Sequence, residues 1–237
     1  MSEWKMKRFW SDVTPKAVET GVAIALDGRL VKTPAKAALI VPNAVLAERV
    51  AQEWRAVDGE IDPSKMPYTR SANAALDKVA VQHGEVAGLI AAYAETDLLC
   101  YRADSPVELQ ARQAAAWDGP LAWARDRFGL QLGVANGVMP VAQAEESLAR
   151  ARAITEAMSA FALTAFHDLV SLSGSFVLGL RASEACDTAE NLWNVSRIDE
   201  TWQEEQWGVD EEASEMAALK MAQFRHAYDF YHDSVKP

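Results

Sequence analysis

The sequence predicts an α+β protein: a small β-rich N-terminal domain with one helix, residues 1–60, followed by a larger α-helical domain, residues 61–237. Three observations predict it. GVAIALDGRLVKTP, Gly21 to Pro34, reads as strand, turn, strand, and the apolar run AALIVP follows it to Pro42. From Asn43 onward apolar residues recur at helical spacing. Between the two patterns lies the polar connector DGEIDPSKMP, Asp58 to Pro67, which sets the boundary near residue 60. With 237 residues, half of them apolar, the chain has ample material for a buried core in one or two domains.

Each element has a local reason. Asp27-Gly28 suits a two-residue type I′ turn, which needs positive φ at both positions and sets Ile24 opposite Val31 and Val22 opposite Thr33. Asn43 caps a helix whose buried face is Leu46, Val50, Trp54 and Val57, and Gly59 stops it. SANAALDKVAVQHGEVAGLIAAYAETDLL reads as two helices broken near Gly84, the second packing through Leu89, Ile90, Tyr93 and Leu98. Ser105, Pro106 and Glu108 form a capping box for the next helix, which runs toward Trp117. Pro120 then restarts a short helix that ends at Gly129. LQLGVANGVMP is a short strand or an extended loop. A helical stretch follows with a break near Thr155, then an apolar, buried helix from Ser173 to Glu184. Asp187 to Glu190 is a second capping-box candidate, opening a helix toward Trp202. The last helix starts near Asp210 and carries Leu219, Phe224, Ala227 and Tyr231. No internal repeat or low-complexity tract interrupts the pattern.

Charge and composition exclude several function classes. The formal net charge of −11 is a poor match to nucleic-acid backbones and to anionic membrane surfaces. No window is long and apolar enough for a membrane span, so stable membrane insertion is not expected. MSEWKMKRFW carries three bases without an apolar stretch, unlike a secretory signal, and these points favour the cytoplasm of a bacterium. Cys100 and Cys186 read as reduced thiols of a chain too large to need a disulfide framework.

The most distinctive segment runs from Glu184 to Glu215. It holds eleven acidic residues against one base, Arg197, so its net of −10 nearly equals that of the whole chain. Trp193, Trp202 and Trp207 lie within it. Two readings stand side by side. One is a solvated helix face with its tryptophans in the core. The other is a recognition surface, in which carboxylates steer a basic partner and an aromatic anchor supplies contact energy. Gly208 permits a sharp corner between two helices, built with the tryptophans, and Asp210 caps the second helix. Glu200 and Glu204, four apart, share a face.

Catalytic chemistry finds little support. There is no G-x-S-x-G elbow, no P-loop, and no G-x-G-x-x-G after a strand, so no nucleotide or other cofactor is implied. Cys100 lacks a sequence-visible base. Of His83, His167, His226 and His232, only the last makes a partial metal motif, Asp229-x-x-His232, and a helical di-metal site needs more carboxylates than this. Thr96, Asp97, Tyr101 and Arg102 gather polar groups at a helix end. They read either as a contact or as an internal network that locks two elements, with Asp97 on Arg102. The hairpin reads first as scaffold, while its Arg29 and Lys32 form a candidate basic contact.

Ordered blocks along nearly the whole chain carry a resemblance. They are Arg8-Phe9-Trp10, LDGRLVKTP from Leu26 to Pro34, AQEW ending at Trp54, Met66-Pro67, and SANAALD from Ser71 to Asp77. TDLLCYR from Thr96 to Arg102, Gln113 to Trp117, GSFVLGL from Gly174 to Leu180, and Asp199 to Glu211 complete the set. This set resembles the assembly chaperone family of the ATP synthase catalytic head, the family that in mitochondria includes the second F1 assembly factor and handles the alpha subunit. The resemblance implies a bacterial member and a non-enzymatic chaperone, expected to be monomeric. It would bind the unassembled alpha subunit and shield its assembly surface until a beta subunit takes its place. The best candidates for the contact are Asp199, Glu200, Glu204, Glu205 and Glu211. A protein-binding module with a different partner is the alternative, and an enzyme using carboxylates is a more distant one.

Overall fold

A computed structural model of the chain describes residues 7–137 and 139–236; the first six residues of the N-terminal stretch, and Val138 of the LQLGVANGVMP segment, lie outside them. Four strands come first: β1 (Val13–Val18), β2 (Gly21–Leu26), β3 (Arg29–Leu30) and β4 (Ile40–Val41). Then follow α1 (Ala44–Ala56), α2 (Pro67–Ala74), α3 (His83–Ala91), β5 (Tyr101–Arg102), α4 (Val107–Phe128) and β6 (Ala135–Asn136). The rest is helical: α5 (Glu145–Glu156), α6 (Ala160–Ser173), α7 (Phe176–Ser183), α8 (Ala189–Ser196), α9 (Ile198–Trp207) and α10 (Glu211–Val235). The α+β class, a small strand region before a larger helical one, is the one the sequence predicts.

By packing, the chain divides into two compact units. The first runs to His83 and takes in Ser159–Ala165 and the chain from Asp229 onward; the second holds Gly84–Met158 and Phe166–Tyr228. The boundary near residue 60 is kept as a proposal for where the β-rich domain ends.

In the first unit β2 is the central strand, antiparallel to β1, β3 and β4. The predicted turn is present: Asp27 has φ 47° and Gly28 φ 80°. Leu26 pairs with Arg29, and the Val31 N–H donates to the Ile24 carbonyl at 2.8 Å, so Ile24 lies opposite Val31 as predicted; Val22 does not meet Thr33, because the chain turns back after Val31 and β4 takes that edge, pairing Val22 with Val41. The sequence pattern does not reveal β1. Its Pro15 breaks the strand pattern, and the structure accommodates it on a strand that, among the described residues, pairs with β2 alone. The sheet's apolar residues meet α1 in a core built on Trp10, Ile24, Leu46, Val50 and Trp54, joined by Ala165 and Phe230. Asn43 caps α1 as predicted, accepting from the Leu46 N–H at 2.9 Å, while its own amide donates to the Asp233 carbonyl at 2.8 Å. The helix ends at Ala56, with Val57 at its C-cap, before Gly59 is reached. The Arg8 guanidinium donates to the Val57 carbonyl at 2.8 Å, which gives the Arg8-Phe9-Trp10 block a structural role.

In the second unit α4 runs unbroken through Pro120. A proline inside a helix costs about 3 kcal/mol, which is the physical basis of the predicted restart. Packing on either side overrides it: Trp117 is fully buried with its indole N–H donating to the Val195 carbonyl at 2.8 Å, and Ala124 is fully buried too. The capping box at Ser105 does not form. Pro106 itself occupies the cap position in an extended conformation, and no side chain caps the helix. The LQLGVANGVMP segment supplies β6, parallel to β5. The helix around Thr155 breaks as expected between α5 and α6. Leu89, expected to pack, is exposed, while Ile90 on the same helix is buried. Gly179 permits a close approach: a Cβ there would stand 2.6 Å from Val170 Cγ2 and 3.2 Å from Phe166.

Candidate protein-binding surface

The acidic segment forms three helices rather than the two expected. Thr188, not Asp187, caps α8, its hydroxyl accepting from the Asn191 N–H at 3.2 Å. Arg197 leaves helical geometry (φ −109°, ψ 18°) and divides α8 from α9. Gly208 makes the predicted corner with φ 91° and ψ 163°, a backbone region that only glycine occupies without strain. Asp210 caps α10 as predicted, accepting from the Ala213 N–H at 3.1 Å.

On α9 the predicted contact carboxylates have partners inside the protein. Asp199 accepts from the Gln113 amide at 2.6 Å, and the fully buried Gln113 accepts in turn from the Ala103 N–H at 2.9 Å. Asp199 therefore fastens α9 to α4. Glu200 pairs with Arg197 at 2.9 Å, and Glu204 approaches the same guanidinium at 3.9 Å, which bears out their shared face. Glu205 receives both arms of Arg112 at 2.7 and 3.0 Å, a pairing that lowers the Glu205 pKa and raises that of Arg112.

Beyond the corner the surface changes. Trp193 is buried, 6% exposed, against Phe224 and Arg197. Trp207 is 80% exposed and so does not build the corner, contrary to the expectation from the sequence. Val209, Met216 and Leu219 are also exposed, interleaved with the exposed carboxylates of Asp210, Glu211, Glu212 and Glu215. Leu219 departs from the predicted core face of the last helix, which Phe224 and Ala227 do supply. Helical periodicity could have found this patch, because Glu212, Met216 and Leu219 recur at intervals of four and three on α10. Beside it, Pro106, Leu109, Asp199, Trp202 and Trp207 line a shallow depression.

Asp97, Arg102 and Cys100, weighed for chemistry, are all buried. Asp97 is fully buried and does not pair with Arg102. Its carboxylate accepts from the Leu99 N–H at 2.9 Å and from the Ser175 hydroxyl and Val177 N–H at 3.0 Å each. It thus locks TDLLCYR onto the start of α7, and burial pushes its pKa up to about 6. The internal-network reading is the one realised. Arg102 instead bonds the Leu99 carbonyl and Asp118, each at 2.9 Å, over the face of Trp117. Cys100 is fully buried, and burial raises its thiol to about 12, far from a thiolate nucleophile at neutral pH. His167 meets Asp168 at 2.9 Å, and Asp229 and His232 lie on α10. Among the described residues no group of three or more His, Cys, Asp or Glu is placed to hold a metal ion. No helix there is long and apolar enough to cross a membrane. Arg29 and Lys32 belong to the other unit, where they line a separate groove.

The sequence profile described as "ATP12 chaperone protein" matches residues 7–125, half of the chain. The chain belongs to the ATP12 chaperone family. Among solved structures, Atp12 from Paracoccus denitrificans superposes with a TM-score of 0.95 at 44% identity, covering 98% of this chain and all of that one. A protein from Agrobacterium tumefaciens described as a putative chaperone superposes at 0.91 with 39% identity, over 97% of this chain and 86% of that one. The curated mitochondrial protein atp12 of Schizosaccharomyces pombe is 25% identical over 222 residues, 89% of this chain and 76% of its own. The ATP12 profile ends at residue 125, before the acidic segment begins, but the match to the Paracoccus Atp12 extends over nearly the whole chain.

Proposed function

We propose that this ATP12-family chain is a non-enzymatic, cytoplasmic and monomeric assembly chaperone of ATP synthase that binds the unassembled alpha subunit of the F1 head. One observation carries the reading: a chaperone-family member presents solvent-exposed apolar side chains, led by Trp207, within a field of carboxylates across the α9–α10 corner. An exposed aromatic supplies contact energy and carboxylates supply orientation and encounter rate. Such a mixed surface suits a partner that must be held and later released. An isolated alpha subunit exposes area that the assembled head buries, and such area invites aggregation until something covers it.

The contact residues are assigned accordingly. Glu211 offers an exposed carboxylate at the surface, and Glu205 is exposed beside it while held by Arg112. Glu200 and Glu204 set its charge while paired with Arg197, and Asp199 positions α9. The test is co-expression with ATP synthase alpha and beta subunits, then pull-down and light scattering of the alpha subunit. Retention of alpha and suppression of its aggregation are expected. A folded chaperone that neither binds alpha nor keeps it soluble overturns the proposal, and reproducible capture of another partner without alpha favours the general binding-module reading.

A further inference from the structure

The first unit carries an open groove of about 570 Å³ whose walls come from the β3 hairpin arm, the connector after α1, and α2. Its floor is apolar, with Leu26, Val31, Ile61 and Met66, and the exposed side chains of Phe9 and Leu30 extend it to the surface. Its rim is basic. Arg29, Lys32, Lys36 and Arg70 line it, all exposed, and among the described residues no aspartate or glutamate does so. In a chain of net charge −11 this concentration of cations is against the trend.

A second observation concerns two residues that line the same groove. Among the described residues, two buried side-chain polar atoms lack a hydrogen-bond partner: the indole N–H of Trp54 and the amide oxygen of Asn73. Both residues line this groove, and Trp54 is nine-tenths buried. Buried polar groups are ordinarily satisfied, and both of these atoms are closed off from solvent, so a ligand completes their bonding only where the groove wall gives way to it. One is a donor and the other an acceptor. A peptide unit offers the complementary pair, a carbonyl for the indole and an N–H for the amide oxygen.

We propose that this groove binds an extended peptide segment of a partner protein, one that carries apolar side chains and a carboxylate. Its apolar side chains take the floor, a backbone unit satisfies Trp54 and Asn73, and its carboxylate meets the cations of the rim. Thr33 and the backbone N–H of Ala35, on the hairpin arm, are tied to Asp77 at 2.6 and 3.0 Å, which holds the basic wall in place before binding. The site is independent of the α9–α10 surface and of the client assigned to it.

The test uses the full chain and three fluorescein-labelled nine-residue peptides, alternating Leu/Glu, Leu/Lys and Ser/Glu, read by fluorescence anisotropy. The Trp54 indole N–H resonance, assigned by its loss in Trp54→Phe, is followed in parallel. The Leu/Glu peptide is expected to bind and to shift that resonance, with the other two at least tenfold weaker. Arg29→Glu with Lys32→Glu, both on exposed side chains, should lower Leu/Glu affinity at least tenfold while leaving the circular dichroism and melting temperature unchanged. Equal binding of the three peptides, an unmoved Trp54 resonance, or affinity indifferent to the double reversal overturns the proposal. If alpha subunit is retained but no peptide enters the groove, the groove proposal falls and the chaperone reading stands. Peptide binding without alpha binding leaves the groove proposal standing and overturns the chaperone reading.

Discussion

Along α9 the carboxylates are held by the protein's own cations and by an amide, whereas beyond Gly208, in the first turns of α10, they face solvent beside exposed apolar side chains. The two stretches are adjacent in sequence and alike in composition. Their difference comes from what lies opposite: Gln113 and Arg112 on α4 reach α9, while exposed Glu211 makes no ion pair among the described residues. A charge run therefore divides into a part that fastens helices and a part available to a partner.

The tryptophans test that division most strongly. Trp193 is buried and Trp207 exposed. Trp193→Ala should lose about 3–5 kcal/mol in urea unfolding, as large core truncations do. Trp207→Ala should change stability by no more than about 0.5 kcal/mol while weakening alpha-subunit capture at least tenfold. If both variants lose stability alike, the exposed patch is not a separate surface.

Asp97 takes the fastened class to its limit. Its folded pKa of about 6 lies above the ordinary carboxylate value near 3.8, because burial outweighs its hydrogen bonds. The folded protein therefore holds this proton more tightly than the unfolded chain. The resulting cost is complete above pH 6, shrinks as the pH falls, and vanishes below about pH 4. Asp97→Asn keeps the shape but does not titrate. The stability of the native sequence relative to this variant should rise as pH falls from 7 to 4, by up to ~3 kcal/mol at about 1.4 kcal/mol per pKa unit. A difference that stays flat with pH in urea unfolding would place the titration elsewhere.

Asp199 is the next step down. Removing it leaves the amide of buried Gln113 without its acceptor, and an orphaned buried donor costs about 1–3 kcal/mol. Asp199→Ala should lose that much, and adding Gln113→Leu should cost less than Gln113→Leu does alone, the remaining loss being that of the Ala103 N–H left without the Gln113 oxygen. Additive losses in the double-mutant cycle would show that Asp199 does not act through Gln113.

What the sequence made legible follows the range of the interaction. Asp27-Gly28, Asn43, Gly208 and Asp210 were readable because their geometry is set within a few residues. β1 was missed because Pro15 hides it, and the continuity of α4 was missed because Trp117 and Ala124 outweigh the local signal of Pro120. The acidic segment was visible as composition, but its division was not. Arg112 lies 93 residues from Glu205, and Gln113 lies 86 from Asp199, so no local spacing reveals either pair. The groove orphans are likewise products of tertiary packing: Trp54 read correctly as a core residue, while its unsatisfied N–H depends on what surrounds it.

A smaller stability effect than that of Asp199 belongs to a carboxylate assigned to binding. Glu211 opens α10, where a carboxylate interacts favourably with the helix dipole. Glu211→Lys replaces that attraction by repulsion, yet on an exposed first turn the loss should stay below about 1 kcal/mol and shrink with added salt. Glu211→Gln separates charge from helix formation, since it removes the carboxylate without adding a cation. Capture of alpha subunit should fall for both variants, more for lysine, in proportion to the charge change. Melting curves and pull-downs measured at low and at high salt decide it. If lysine and glutamine variants bind as the native chain does, the carboxylates at the start of α10 are solvated and nothing more, and the recognition rests on Trp207 and its apolar neighbours.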